Sequence, residues 1–133
     1  MPHIEYIIVT IIVLVLILPY LLMLMASHAL VGKRAPRMDD VVTDQMDMSR
    51  PVYLYFMSNT CSNCRAMTPL VSQQQATNPN VIIINISDQR ELGMRFGIRG
   101  TPTLLSIQDG IIDRVKLGAL SEKKLDEFFS QVK

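Results

Sequence analysis

Across residues 6–27 apolar side chains follow one another almost without interruption, and none is charged. As a helix rising ~1.5 Å per residue, this stretch is ~33 Å long and matches the ~30 Å hydrocarbon core of a bilayer. Pro19 falls inside it, and membrane helices accept proline where a neighbouring group or water satisfies the freed carbonyl. A secretory signal would share the apolar run, and Ser27-His28-Ala29 offers a small-x-small cleavage site. The run is longer than the ~7–15 residues of a signal core and lacks a basic lead-in, so residues 1–31 read as a retained transmembrane anchor. Met23 and Met25 read as lipid-facing or packing residues, because a metal would need more sulfur or imidazole ligands gathered with them.

After the anchor the pattern turns polar. Residues 32–50 hold only loosely spaced apolar positions, Val41, Val42, Met46 and Met48, and read as a linker with room for a short helix closing near Ser49. The β-branched and aromatic run Val52-Tyr53-Leu54-Tyr55-Phe56-Met57, preceded by Pro51, predicts a buried strand. Residues 61–76 place Cys64, Met67, Leu70 and Val71 on one helical face, with Pro69 bending the helix and Thr77-Asn78-Pro79-Asn80 ending it. A second apolar run at 81–86 predicts a central strand with a parallel partner, after which Ser87 or Asp88 caps a short helix through Phe96. Residues 103–107 and 111–117 predict a hairpin turning at Gln108-Asp109-Gly110, where the glycine takes positive φ. Ser121 caps a last helix whose apolar stripe is Leu125, Phe128, Phe129 and Val132. The order βα, βα, ββα implies a mixed sheet covered on both faces.

A chain of 133 residues has room for one core besides the anchor. Lysine and arginine number 13 against 12 aspartates and glutamates, so charge points to no nucleic-acid partner. The only cysteines are Cys61 and Cys64, which excludes a structural disulfide framework; a bridge between them closes too small a loop to stabilise the fold much.

The chemistry therefore rests on Cys61-Ser62-Asn63-Cys64, between a predicted strand and the start of a predicted helix. This spacing lets the two sulfurs close a disulfide and puts Cys61 where helix N-terminal amides lack partners. That position favours the thiolate, the nucleophile of disulfide exchange, so Cys61 reads as the attacking sulfur and Cys64 as the resolving one, with Arg65 adding positive potential. Half of a zinc site is the bland alternative, but it needs four ligands and the chain offers only His3 and His28 besides the pair, both at the apolar segment. Two inert buried thiols are disfavoured because a strand-to-helix corner exposes its first residue. No cofactor or metal is expected. The competing function class is a non-enzymatic module that binds a membrane partner or a metal and uses its cysteines structurally.

Cys61-x-x-Cys64 followed by Pro69, the stretch Gly97-Ile98-Arg99-Gly100-Thr101-Pro102-Thr103, and Leu117-Gly118-Ala119-Leu120-Ser121 together resemble bacterial thioredoxin. The resemblance covers residues 51–133 and implies an α/β thioredoxin-like fold, a mixed sheet flanked by helices, preceded by one transmembrane helix. It implies thiol-disulfide oxidoreductase activity on protein disulfides or dithiols, in a monomer. By the same likeness Pro102 is a cis-proline facing the disulfide, Thr101 offers backbone hydrogen bonds to an extended substrate segment, and Gly118 lies near the substrate groove; the alternatives are an ordinary turn proline at 102 and a bulge in an edge strand at 118. The chain departs from the family pattern in having no tryptophan, in Ser62-Asn63 between the cysteines, and in Tyr55 and Ile83 where thioredoxins carry a buried aspartate and its paired lysine. The location implied is the bacterial inner membrane, single-pass. Lys33, Arg34 and Arg37 after the span favour a cytoplasmic domain. Gly32-Lys33-Arg34-Ala35-Pro36, by contrast, is similar to the Gly-x-x-Ala-Pro stretch of extracytoplasmic thioredoxin-like proteins of the cytochrome-maturation and methylamine-utilisation types, which favours the periplasm.

Overall fold

In the computed structural model, which describes residues 1–130, alternation along one strand sets the layers. β1 (Val52–Met57) sends Leu54 and Phe56 to one side and Tyr53 and Tyr55 to the other, as successive strand residues must, and both sides are buried. It pairs in parallel with β2 (Val81–Asn85) and antiparallel with β3 (Thr103–Gln108). β3 in turn pairs antiparallel with β4 (Ile111–Leu117), giving the order β2-β1-β3-β4. The parallel pair needs a crossover, which α2 (Ser62–Thr77) supplies, running through Pro69. α3 (Arg90–Arg95) joins β2 to β3, and α4 (Glu122–Ser130) follows the hairpin. The sheet is therefore mixed and flanked by helices, in the expected order.

Met67 and Val71 of α2 and Leu125, Phe128 and Phe129 of α4 cover the tyrosine face. The Tyr53 ring meets Phe129 edge-on at 4.9 Å between centroids, and its hydroxyl donates to the Phe129 carbonyl (3.1 Å). Leu92 and Phe96 cover the opposite face together with Val41 and Met46, which lie before β1. The hairpin turns through Asp109 (φ 51°) and Gly110 (φ 74°), so the aspartate as well as the glycine is left-handed, as a two-residue type I′ turn requires. Ser121 Oγ accepts from the Lys124 N–H (3.4 Å) at the start of α4. Val132 lies outside the described residues.

Two local expectations are corrected. No helix forms within 32–50; the segment is a series of turns. Val41 and Met46, the side chains it buries, are not a whole number of helical turns apart, and the Val41 and Val42 N–H groups both go to the Met38 carbonyl. The segment is held at its start by an antiparallel bridge between Arg34 and Ile111, and in its middle by Arg95, which donates to Asp40 (3.0 Å) and to the Arg37 carbonyl (3.2 Å). Nor does Ser87 or Asp88 cap α3. Ser87 Oγ accepts from the Asn59 N–H (3.1 Å), Asp88 accepts from the Asn85 amide (2.9 Å), and the helix starts later with Gln89 at its N-cap.

The apolar segment is a single helix, α1 (Pro2–His28), that continues through Pro19. By length and composition it can cross a membrane, a property that signal sequences share. It is exposed from His3 to Leu22, after which Met23, Leu24, Ala26 and Ser27 are half-buried.

One buried amide ties the segment before β1 to the sheet. Asn80, 2% exposed, accepts from the Asp47 N–H (2.9 Å) and donates to the carbonyls of Asp47 (2.7 Å) and Pro51 (3.1 Å). Replacing it with alanine strands several backbone groups at once, each worth ~1–3 kcal/mol where water cannot reach it. Because Asp47 is exposed and can rehydrate, Asn80→Ala is expected to cost about 2 kcal/mol. Denaturant unfolding of the detergent-solubilised chain checks this, and a loss below about 0.5 kcal/mol would show that the staple is dispensable.

Candidate active site

The register between β1 and β3 builds the site. Phe56 pairs with Thr103, so the residues just after β1 and those just before β3 emerge side by side at one edge of the sheet. The first group runs to Cys61, whose N–H donates to the Ser58 carbonyl (3.3 Å); the second contains Thr101 and Pro102, joined by a cis peptide. Ser58 Oγ and Thr101 Oγ1 share a hydrogen bond of 3.2 Å that links the two groups. All four residues singled out in the sequence, Cys61, Cys64, Thr101 and Pro102, thus belong to one corner. The Pro102 carbonyl accepts from the Gly118 N–H (2.8 Å), which brings the third stretch to the same loop. Gly118 has φ 93° just after β4 and is not a bulge; the register shift of the hairpin lies at Ser106/Ile107.

Cys61 and Cys64 are joined by a disulfide, with Cα atoms 5.3 Å apart. Cys61 has extended backbone dihedrals and is the N-cap of α2, and its Sγ accepts from the Cys64 N–H (3.1 Å). The sulfur occupies the place where a serine or aspartate oxygen would cap a helix, so charge developing on it meets an oriented amide. The two sulfurs differ in access: Cys61 is half-buried, whereas Cys64 is 1% exposed. A cavity of about 340 Å³ opens on the pair, lined also by Ser58, Arg65, Thr68 and Pro69. Arg65 is the only charged side chain in its lining. Among the described residues no three His, Cys, Asp or Glu side chains gather as a metal would require.

Sequence reasoning missed what stands behind Thr68 in the wall of this cavity. Tyr55, fully buried on the α2 side of β1, shares a hydrogen bond of 3.0 Å with Thr68 Oγ1, one helical turn beyond Cys64. The turn spacing of Cys64 and Thr68 was visible; that Tyr55 reaches Thr68 depends on how α2 lies across the sheet. Ile83, the other departure noted above, is half-buried and packs with the same cluster. The Ser58–Thr101 link had no sequence signal.

Two sulfurs bonded to each other at a strand-to-helix corner, one capping the helix and the other enclosed, in a sheet of this topology, are the arrangement of a thiol-disulfide oxidoreductase. The chain belongs to the thioredoxin family, whose model matches residues 36–131. The thioredoxin of Acidithiobacillus ferridurans is 31% identical over 93 residues, covering 68% of this chain and 86% of that protein. That of Pseudomonas aeruginosa is 28% identical over 88 residues, covering 64% and 82%. Among solved structures, Fasciola hepatica thioredoxin superposes with a TM-score of 0.55 at 25% identity, covering 64% of this chain and 83% of that one. The match begins well before β1, in agreement with the burial of Val41 and Met46.

Burial pushes the Tyr55 phenol above its ordinary value, partly opposed by the hydrogen bond with Thr68. Since the folded-state value lies above the unfolded one of ~10, the neutral phenol contributes stability that is fully present below pH ~10 and is lost as pH rises through the folded-state value. Tyr55→Phe is expected to cost about 1 kcal/mol near neutrality and to flatten the alkaline loss. Denaturation midpoints followed from neutral to strongly alkaline pH check this; an unchanged alkaline slope would remove Tyr55 from the account.

Proposed function

We propose that the chain is a membrane-anchored oxidoreductase that exchanges disulfides with protein substrates, Cys61 acting as nucleophile and Cys64 as resolving thiol. The observation that carries this reading is the asymmetry of the pair: Cys61 is accessible and capped by an amide, while Cys64 is enclosed. In the reducing direction the Cys61 thiolate attacks one sulfur of a substrate disulfide, and the other substrate sulfur leaves as a thiolate and takes a proton. The Cys64 thiol, losing its proton, then attacks Cys61 Sγ; the enzyme disulfide forms and the second substrate sulfur departs as a thiol. Two electrons pass from the enzyme dithiol to the substrate, and the oxidising direction is the reverse. The loop at Thr101 and Pro102 holds an extended substrate segment beside Cys61. Residues 1–31 anchor the chain in a single pass, residues 32–50 connect it to the sheet and close one face of it, and residues 51–133 carry the redox chemistry. The apolar helix is what supports a membrane location, and the inner membrane is the one proposed.

Resolution is intramolecular, at an effective concentration far above that of free thiols. Cys64→Ser is therefore expected to accumulate a reducible covalent complex with its partners, and Cys61→Ser to form none and to abolish insulin reduction. Non-reducing electrophoresis of membranes from cells making each variant is the measurement. Trapping by Cys61→Ser alone would reverse the roles, and insulin reduction by Cys61→Ser would sink the reading.

A further inference from the structure

We infer that the redox centre works at the bilayer surface, on cysteine pairs in the juxtamembrane segments of other membrane proteins. This rests on α1 being the anchor proposed above.

A hydrocarbon core of ~30 Å takes about 20 helical residues. Counted from His3, that length runs to about Leu22, and Leu22 is also the last residue before the helix begins to bury against the domain. Met23, Leu24, Ala26, Ser27 and Leu30, the half-buried residues that follow, recur at helical spacing, so one face of the final turns is seated on the domain. The domain therefore begins where the hydrocarbon ends.

The seat is the active-site loop itself. A Cβ placed on Gly100 would collide with the Met23 methyl group and stand 3.5 Å from Leu117 Cδ1, and one on Gly97 would stand 3.5 Å from Leu30 Cδ2. Gly100 directly precedes Thr101, whose hydroxyl meets Ser58 at the cysteine corner. The Met23 methyl group fills the space that a side chain at Gly100 would take. Nor is there slack after the helix: the Gly32 N–H donates to the Ile112 carbonyl (2.8 Å), and the Ile112 N–H to the Lys33 carbonyl (2.9 Å). With the chain seated at Met23 and pinned again at Gly32, the domain has no tether on which to turn its redox corner away from the membrane. The groove at the cysteines has no residue of the anchor in its lining, and a Cβ on Gly118 would meet nothing within 4 Å. The anchor flanks the groove and leaves it unfilled, so a cysteine pair close to the bilayer can enter alongside it.

The test uses the full chain in phospholipid nanodiscs together with a single-span peptide carrying a disulfide either about 3 or about 20 residues outside its own span, joined by a flexible linker. Both peptides share the membrane, so tethering alone does not separate them. The near disulfide is expected to exchange at least ~10-fold faster than the far one, reflecting its higher effective concentration at the corner. Two variants should lose that preference while reducing insulin at the parent rate: one with a flexible insert of about 15 residues after Val31, and the double substitution Met23→Ala, Leu30→Ala. Equal rates for the two peptides, in a chain that reduces insulin and resists alkaline carbonate extraction, would overturn this inference alone. Extraction by carbonate would overturn the anchor and the inference together.

Discussion

A strand buried on both faces cannot slip by one residue, because the slip would carry Leu54 and Phe56 into the layer made by α2 and α4 and both tyrosines into the layer made by Phe96 and Met46. In β1 the constraint is sharper than apolar packing alone, since the Tyr53 and Tyr55 hydroxyls find their partners, the Phe129 carbonyl and Thr68, on the side covered by α2 and α4. A slip would bury both hydroxyls unpaired, at ~1–3 kcal/mol each. Register follows from this. Phe56 must face Thr103, and only then do Ser58 and Thr101 lie within hydrogen-bonding distance.

That register delivers the chemistry. The chain leaves β1, turns at Ser58 and enters α2 at Cys61, so the first sulfur becomes the helix cap and the second, one turn on, faces inward. Reduction returns a sulfur that already has an amide pointing at it. Thr68, in the wall of the cavity at the pair, is backed by the buried phenol of Tyr55. Because burial keeps that phenol protonated, it contributes no negative charge against the thiolate.

The segment between α1 and β1 does more than join two parts. It closes one face of the sheet with Val41 and Met46, adds a bridge to β4 through Arg34, and is stapled to the start of β2 by Asn80. Its ion pairs, such as Arg95 with Asp40, lie at the surface and add little, so the burial and the buried amide hold it. With α1 seated on Gly100 and Leu117, the helix, connector and redox domain form one mechanical unit.

Periodicity and spacing were enough to place the apolar helix, the four strands to within about a residue, the hairpin turn and the Cys61–Cys64 corner. Each of these is written in neighbouring residues: charge-free length, two-residue alternation, a glycine after an aspartate, two cysteines one turn apart. Residues 32–50 were not legible, because Val41 and Met46 become core only once Phe96 and the sheet are there to meet them. For the same reason no local pattern revealed that Asn80 staples Asp47, that Tyr55 reaches Thr68, that Ser58 joins Thr101, or that Met23 fills the space over Gly100. These contacts join residues distant in the chain, and their energy exists only after strand register has brought both partners together. The sequence by itself determined which atoms do the chemistry; tertiary structure decided what surrounds them and which way they face.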